Sequence, residues 1–284
     1  MRDLIRLQDF LGKDARLDRI TDDDVARLVA WRRAQRVKGR ADAPLLSAAT
    51  INRSTIEPLR KLFNRARAVW RVNLPDEPDW RRHKLKEAPE RVREVRAAEE
   101  TRIEDAIRPD YLPLVNFARA SGLRLSECLL RKEEVDLAAG RVRTVGKGGK
   151  AIDHPITSEM RAILMAEMAN PTDHVFTYRA ARAGPDRGRG ERLPITASGL
   201  TTMWRRARTA GLPKDLRFHD LRHDFATKLL RETGNLKLVQ RALHHSKVET
   251  TTRYAHVLDE DVRAGMEATS KSREKSRGGS GNAA

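Results

Sequence analysis

Four short stretches of the chain carry side chains suited to handling a phosphate. In His219-Asp220-Leu221-Arg222-His223, His219 and Arg222 stand three residues apart and share one edge of a helix. An imidazole and a guanidinium fork held side by side can donate to the same anion. In Leu243-His244-His245-Ser246, Ser246 and Glu249 have the spacing of a capping box, which predicts a helix starting just after His245. His245 is then expected at a positive helix end, a natural anion site, with Tyr254 near the far end of the same helix. Arg124 lies between a helix broken by Gly122 and a second helix that Ser126 can cap, and Glu127 can hold its guanidinium. Lys147 and Lys150 flank the two glycines of Gly146-Lys147-Gly148-Gly149-Lys150, a hairpin turn.

Each stretch also has an ordinary structural explanation. Arg124 and Glu127 can form a buried staple. Tyr254 can be a half-buried tyrosine with a satisfied hydroxyl, His244-His245 a loop pair, and the lysine hairpin a surface turn. A zinc reading of His219-Asp220-x-x-His223 fails on chemistry. The metalloprotease pattern needs a glutamate as base, aspartate is one methylene short, and no third ligand stands nearby. No metal and no other cofactor is therefore expected.

Taken together and in order, G-L-R-L-S-E, G-K-G-G-K, H-D-L-R-H and H-H-S-x-x-x-T-T-x-x-Y-x-H make the chain resemble the tyrosine recombinase (phage integrase) family. The resemblance implies that Arg124 and Arg222 clamp the scissile phosphate and that Lys147 protonates the leaving 5′ oxygen. It makes His219 an acid/base partner, His245 a donor to the phosphate, and Tyr254 the nucleophile of a 3′-phosphotyrosyl link. Glu127 and Lys150 would support them, and whether Lys147 or Lys150 reaches the DNA is left open. Two departures stand out: His244 occupies a position where the family usually has glycine, and the return strand Ala151-Ile152-Asp153-His154 lacks the expected basic residue.

The implied fold is mostly α with a small antiparallel β-sheet, in two domains forming a C-shaped clamp on DNA. These are a helical core-binding domain with its linker over residues 1–95 and an α+β catalytic domain over 96–269, followed by a disordered tail over 270–284. The implied partners are double-stranded DNA, a homotetramer on paired sites, and an accessory DNA-bending or directionality factor. The implied activity is site-specific cutting and rejoining of duplex DNA without metal or ATP. Relaxation of the type IB topoisomerase kind, or a DNA-binding regulator that has lost catalysis, are the alternatives. Residues ahead of Thr21 leave no room for an arm-binding domain, so either a simple recombinase or a shortened N-terminus is expected.

The elements that must position these residues follow from periodicity. Thr21 ahead of three aspartates predicts a capped helix start, with Val25, Leu28 and Val29 as its apolar stripe. Ile56, Leu59, Phe63, Ala66 and Trp70 predict a second helix, with Pro58 in its first turn or at a kink. Arg53, Arg60 and Arg67 recur every seven residues on another face and are the candidate DNA-binding side chains. A charged linker is expected over residues 80–100, a helix over 111–120, strands over 141–145 and 151–156, and a mobile Gly/Arg loop over 184–190. Helices dominate from Thr196 to about Ala268. Leu221, Phe225 and Leu229 should be the buried stripe of the helix that carries Arg222.

Composition fits this picture. The 284 residues hold 57 Lys+Arg against 40 Asp+Glu, a formal charge of +17, which suits a phosphate backbone. Only 5% are aromatic, too few for the stacking platforms of a single-strand binder. No signal peptide or membrane-length apolar run is present, and a single cysteine excludes a disulfide framework, so a cytoplasmic protein without membrane attachment is expected. Affinity for duplex DNA should fall steeply with salt, log K against log[salt] sloping about −0.9 per phosphate neutralised. Filter binding over a salt series measures this, and a flat line would exclude a backbone clamp.

Overall fold

The computed structural model describes residues 2–88 and 91–258, with 262, 263, 266, 267, 269 and 270. The expected tail therefore lies, apart from Ser270, outside the described residues. The chain divides into two compact units, 1–90 and 91–284.

The first unit is helical. It comprises α1 (Arg2–Leu11), α2 (Asp22–Arg33), α3 (Ala48–Ile51), a π turn (Asn52–Ile56), α4 (Glu57–Ala68) and the short α5 (Trp80–His83). Thr21 caps α2 as expected, its hydroxyl accepting from the Asp24 N–H while the Asp24 carboxylate accepts from the Thr21 N–H. Pro58 falls in the first turn of α4, where the helical backbone runs on from the π turn without a break. Val25, Leu28, Ile51, Leu59 and Phe63 form the core.

Two expectations change here. The wide π turn interrupts the seven-residue spacing on which one arginine face was read, and Arg53, Arg60 and Arg67 are all exposed. The expected linker over 80–100 is in part folded structure. Trp80 packs edge-on against Phe63 at 5.2 Å, and the buried Asn52 amide exchanges hydrogen bonds with the backbone of Leu85 at 2.9 and 3.0 Å.

In the second unit Val95 is buried in the core, and its N–H donates to the buried Asp224 carboxylate at 2.9 Å. Then come α6 (Ala97–Ala106), α7 (Leu112–Ser121) and α8 (Leu125–Cys128). Strands β1 (Val135–Asp136), β2 (Arg141–Val145) and β3 (Ala151–Pro155) form an antiparallel sheet in that order. After α9 (Ser158–Met168), a two-stranded ribbon pairs β4 (Thr177–Arg179) with β5 (Arg192–Pro194). Helices α10 (Ala197–Thr209), α11 (Asp220–Thr233) and α12 (Leu236–Ala242) follow. Two short 3-10 segments, Val248–Thr250 and Thr252–Leu258, carry the chain past Tyr254. The architecture is the mostly helical one with small antiparallel sheets that the resemblance implied.

α7 packs on α11, and Gly122 makes that approach possible. It ends α7 at φ +63, in the left-handed region, and a Cβ built on it would lie 2.2 Å from the Phe225 ring. Both demands select glycine. The buried face of α11 is broader and more polar than expected: Leu221, Ala226 and Leu230 are buried with Arg222, His223, Asp224 and Thr227, whereas Phe225 and Leu229 are only half-buried. Gly122→Ala should cost about 2–4 kcal/mol, combining left-handed backbone strain with overpacking. Urea unfolding measures the loss, and adding Phe225→Ala should recover the overpacking part alone.

Candidate active site

The end of α7 turns at Gly122 and delivers Arg124 to the start of α8. The Arg124 backbone N–H donates to Glu127 Oε2 at 2.9 Å, and its Nη1 donates to Oε1 at 2.9 Å. Arg124 thus occupies the capping position that the sequence suggested for Ser126. The Glu127 side chain is fully buried and also lies 3.9 Å from Arg222 Nη1. Two guanidiniums share one carboxylate, which leaves the cluster one positive charge in excess.

Arg222, on the first turn of α11, is itself buried. Its Nη1 donates to the Gly122 carbonyl at 2.6 Å and its Nη2 to the Leu243 carbonyl at 2.7 Å. Burial, and then the neighbouring Arg124, draw its pKa down to about 10, so it remains a cation at neutral pH. Gly146, at the base of the β2–β3 hairpin, comes close enough to Glu127 that a Cβ would meet Oε1 at 3.0 Å.

The hairpin lysines separate. Lys150 Nζ donates to the His244 carbonyl at 2.9 Å, while Lys147 is exposed at the turn and makes no hydrogen bond or ion pair among the described residues. His245 follows directly, its Nδ1 2.9 Å from the buried Thr251 hydroxyl. Its pKa is depressed to about 3, by burial first and then by Arg222 and Arg124, so the imidazole is neutral. Thr251 explains why threonines sit in this segment: one of them orients His245. The Ser246 capping box does not form. Lys247 takes the cap position of a three-residue 3-10 segment, so His245 does not stand at a helix N-terminus.

Tyr254 is buried, with its hydroxyl 2.8 Å from His223 Nδ1. His219 caps the start of α11, exposed, and its ring meets that of His223 edge-on at 5.0 Å. The structure thus gathers Arg124, Glu127, Arg222, Lys150 and His245 around the Leu243–His245 segment. It links Tyr254 to His223 and, through that ring, to His219. Sequence reasoning passed over His223 as a functional residue. The available signal was its place next to Arg222 on a helix whose buried side is polar.

A model of the phage integrase family matches residues 91–261. The chain belongs to that family. It is 34% identical over 167 residues to a protein named tyrosine recombinase XerC from Azotobacter vinelandii, covering 55% of this chain and 52% of that one. It is 38% identical over 145 residues to the XerC of Stutzerimonas stutzeri, covering 49% and 45%. The chain spans about half the length of these relatives.

Among solved structures, the Tn1549 transposon integrase in complex with circular intermediate DNA superposes with a TM-score of 0.63 at 21% identity, over 93% of this chain and 90% of that one. A lambda integrase dimer bound to a core site gives 0.63 at 20% identity, over 89% and 86%. At these identities the likeness establishes the family fold, and all the site side chains described above lie within the matched residues.

Two imidazoles withdrawn from solvent, His154 buried and His245 half-buried, give the fold a pH dependence. His245 is held at about 3 and His154, on β3, at about 4, in both cases by burial first. Both lie below the unfolded value of about 6.5, so on acidification the unfolded chain takes up protons before the folded one does. Stability should be complete above about pH 6.5 and decline from there toward about pH 4. Urea midpoints across that window measure the slope, and His154→Gln should make it shallower. A midpoint that does not move would mean that both rings are solvated.

Proposed function

We propose that this integrase-family chain is a site-specific recombinase that cuts and rejoins duplex DNA through a 3′-phosphotyrosyl intermediate, with Tyr254 as nucleophile. The observation that carries the reading is the buried Arg124–Glu127–Arg222 cluster, fixed in place with one uncompensated positive charge beside a neutral His245. A phosphodiester under attack concentrates negative charge on its equatorial oxygens, and preorganised donors stabilise that state most. Arg124 and Arg222 clamp the phosphate. With the Thr251 hydroxyl donating to Nδ1, His245 carries its proton on Nε2 and adds a donor without adding charge.

The Tyr254 oxygen forms a bond to phosphorus as the bond to the 5′ oxygen breaks. The phenolic proton goes to His223 Nδ1, the group within hydrogen-bond reach, with His219 as the acid/base partner beside it. The leaving 5′ oxygen takes a proton from Lys147, which is free at the hairpin apex, while Lys150 anchors the hairpin. The tyrosyl ester keeps the bond energy, so the reverse attack reseals the strand without ATP.

The helical unit ahead of residue 91 supplies DNA contacts through Arg53, Arg60 and Arg67. Solved relatives bound to DNA support duplex DNA as the partner. A homotetramer on two paired sites completes strand exchange, aided by an accessory DNA-bending or directionality factor, in the cytoplasm. Among the described residues no helix is long and apolar enough to cross a membrane.

Tyr254→Phe tests the nucleophile, since it removes one oxygen and keeps the buried ring. The probe is an end-labelled nicked duplex, selected from a randomised pool by covalent capture on the wild-type protein. On a denaturing gel the folded Phe variant should carry no label, whereas Tyr178→Phe should carry it as the wild type does. Arg222→Ala should slow capture by about 10²–10³-fold as the loss of one preorganised donor. Label retained on Tyr254→Phe would exclude Tyr254.

A further inference from the structure

His244, which stands where the family usually has glycine, touches the return strand that lacks the family's basic residue. His154, on β3, is buried, and its Nδ1 lies 3.1 Å from Nε2 of His244. Their rings are 5.4 Å apart and tilted by 58°. His244 adopts φ +52, in the left-handed region that glycine enters freely and a side chain does not. A conformation of this kind persists only where its surroundings over-determine it.

Those surroundings are specific. The His244 N–H donates to the Arg241 carbonyl at 3.0 Å, and its carbonyl accepts from Lys150 Nζ at 2.9 Å. Lys150, Ile152 and His154 alternate along the hairpin and so share the strand face that carries the buried Ile152 and His154. That face therefore grips residue 244 twice, once at its carbonyl and once at its ring. On one side of this grip Leu243 receives Arg222, and on the other His245 meets Thr251.

We propose that His154 is a positioning residue for the phosphate clamp: by holding the His244 ring it fixes the left-handed turn that aims His245. This rests on the recombinase reading above. An imidazole suits the position because Arg222, Arg124, Arg141 and Lys150 already crowd the two rings with positive charge, offset in part by Glu127 and by Asp153. A neutral ring can hold its neighbour through one N–H···N hydrogen bond without adding to that charge. Glycine at 244 would adopt the turn without strain, but it would offer β3 nothing to hold. Here a ring-to-ring contact replaces backbone freedom as the means of setting the turn.

The test is a double-mutant cycle on the rate of covalent capture at saturating DNA, using the same selected nicked duplex. His154→Ala should slow capture by about 10–100-fold, the scale of a reacting group misplaced by a fraction of an ångström to an ångström. DNA affinity should stay within about twofold, because no DNA contact is lost. His154→Gln restores an amide able to donate and accept, and should recover most of the rate.

In a His244→Gly background the ring is gone, and the further change His154→Ala should alter the rate by less than about twofold. Thermal melts establish that each variant is folded. Should His154→Ala fail to fold, the His154→Gln variant and the His244→Gly pair carry the test. A folded His154→Ala that captures DNA at the wild-type rate would overturn the proposal. So would an equal slowing with and without the His244 ring. Absence of capture by the wild-type protein would instead overturn the recombinase reading.

Discussion

Everything at the candidate site depends on the burial of Glu127 between two guanidiniums. A carboxylate removed from water is tolerated only when paired and hydrogen-bonded, and Arg124 meets it at both oxygens. Arg222 is buried against the same group and completes its own coordination with two backbone carbonyls. One ionic cluster therefore ties together the α7–α8 turn, the first turn of α11 and the end of α12. These elements are far apart in sequence, and their meeting is what makes a phosphate-sized concentration of donors. The excess positive charge is a cost to the free protein that a phosphate would relieve.

The histidines around this cluster divide according to their surroundings. His154 and His245 are held neutral by burial and by nearby arginines, so they act through hydrogen bonds rather than charge. His223 faces a phenol. The cationic Arg222 and the neutral rings of His154 and His245 keep their charge states across the neutral range. The same burial that keeps the rings neutral is what makes the fold sensitive to acid.

Local chemistry made much of this legible in the sequence. The i, i+3 spacing of Arg124 and Glu127 after a helix-breaking glycine announced their pairing, and the glycine-lysine turn between alternating segments announced the β2–β3 hairpin. Contacts set by tertiary structure were not legible. The partner of His223 lies 31 residues away, and a helix face that buries arginine, histidine and aspartate defeats a search for apolar periodicity. The Ser246 cap failed because the threonine-rich run beyond it forms short 3-10 turns, which need no α-helical start. The seven-residue arginine repeat assumed regular α-helix throughout, and the π turn at Asn52–Ile56 offsets Arg53 from Arg60 and Arg67, which keep their spacing within α4. The same limit applies to the lysines: spacing placed both on the hairpin, and only the fold separates the one bonded to His244 from the one at the apex.

Arg222 is aimed by the carbonyls of Gly122 and Leu243, which are backbone atoms. A backbone carbonyl has no codon, so no point substitution can delete it. The direction of this guanidinium is written into the path of the chain and is shielded from most mutational drift in its surroundings. The vulnerability moves to the few places where a side chain decides where the backbone runs. Natural variation should therefore be tolerated around the arginine and scarce at the turn ending α7 and at the exit from α12, where the backbone path itself aims the guanidinium.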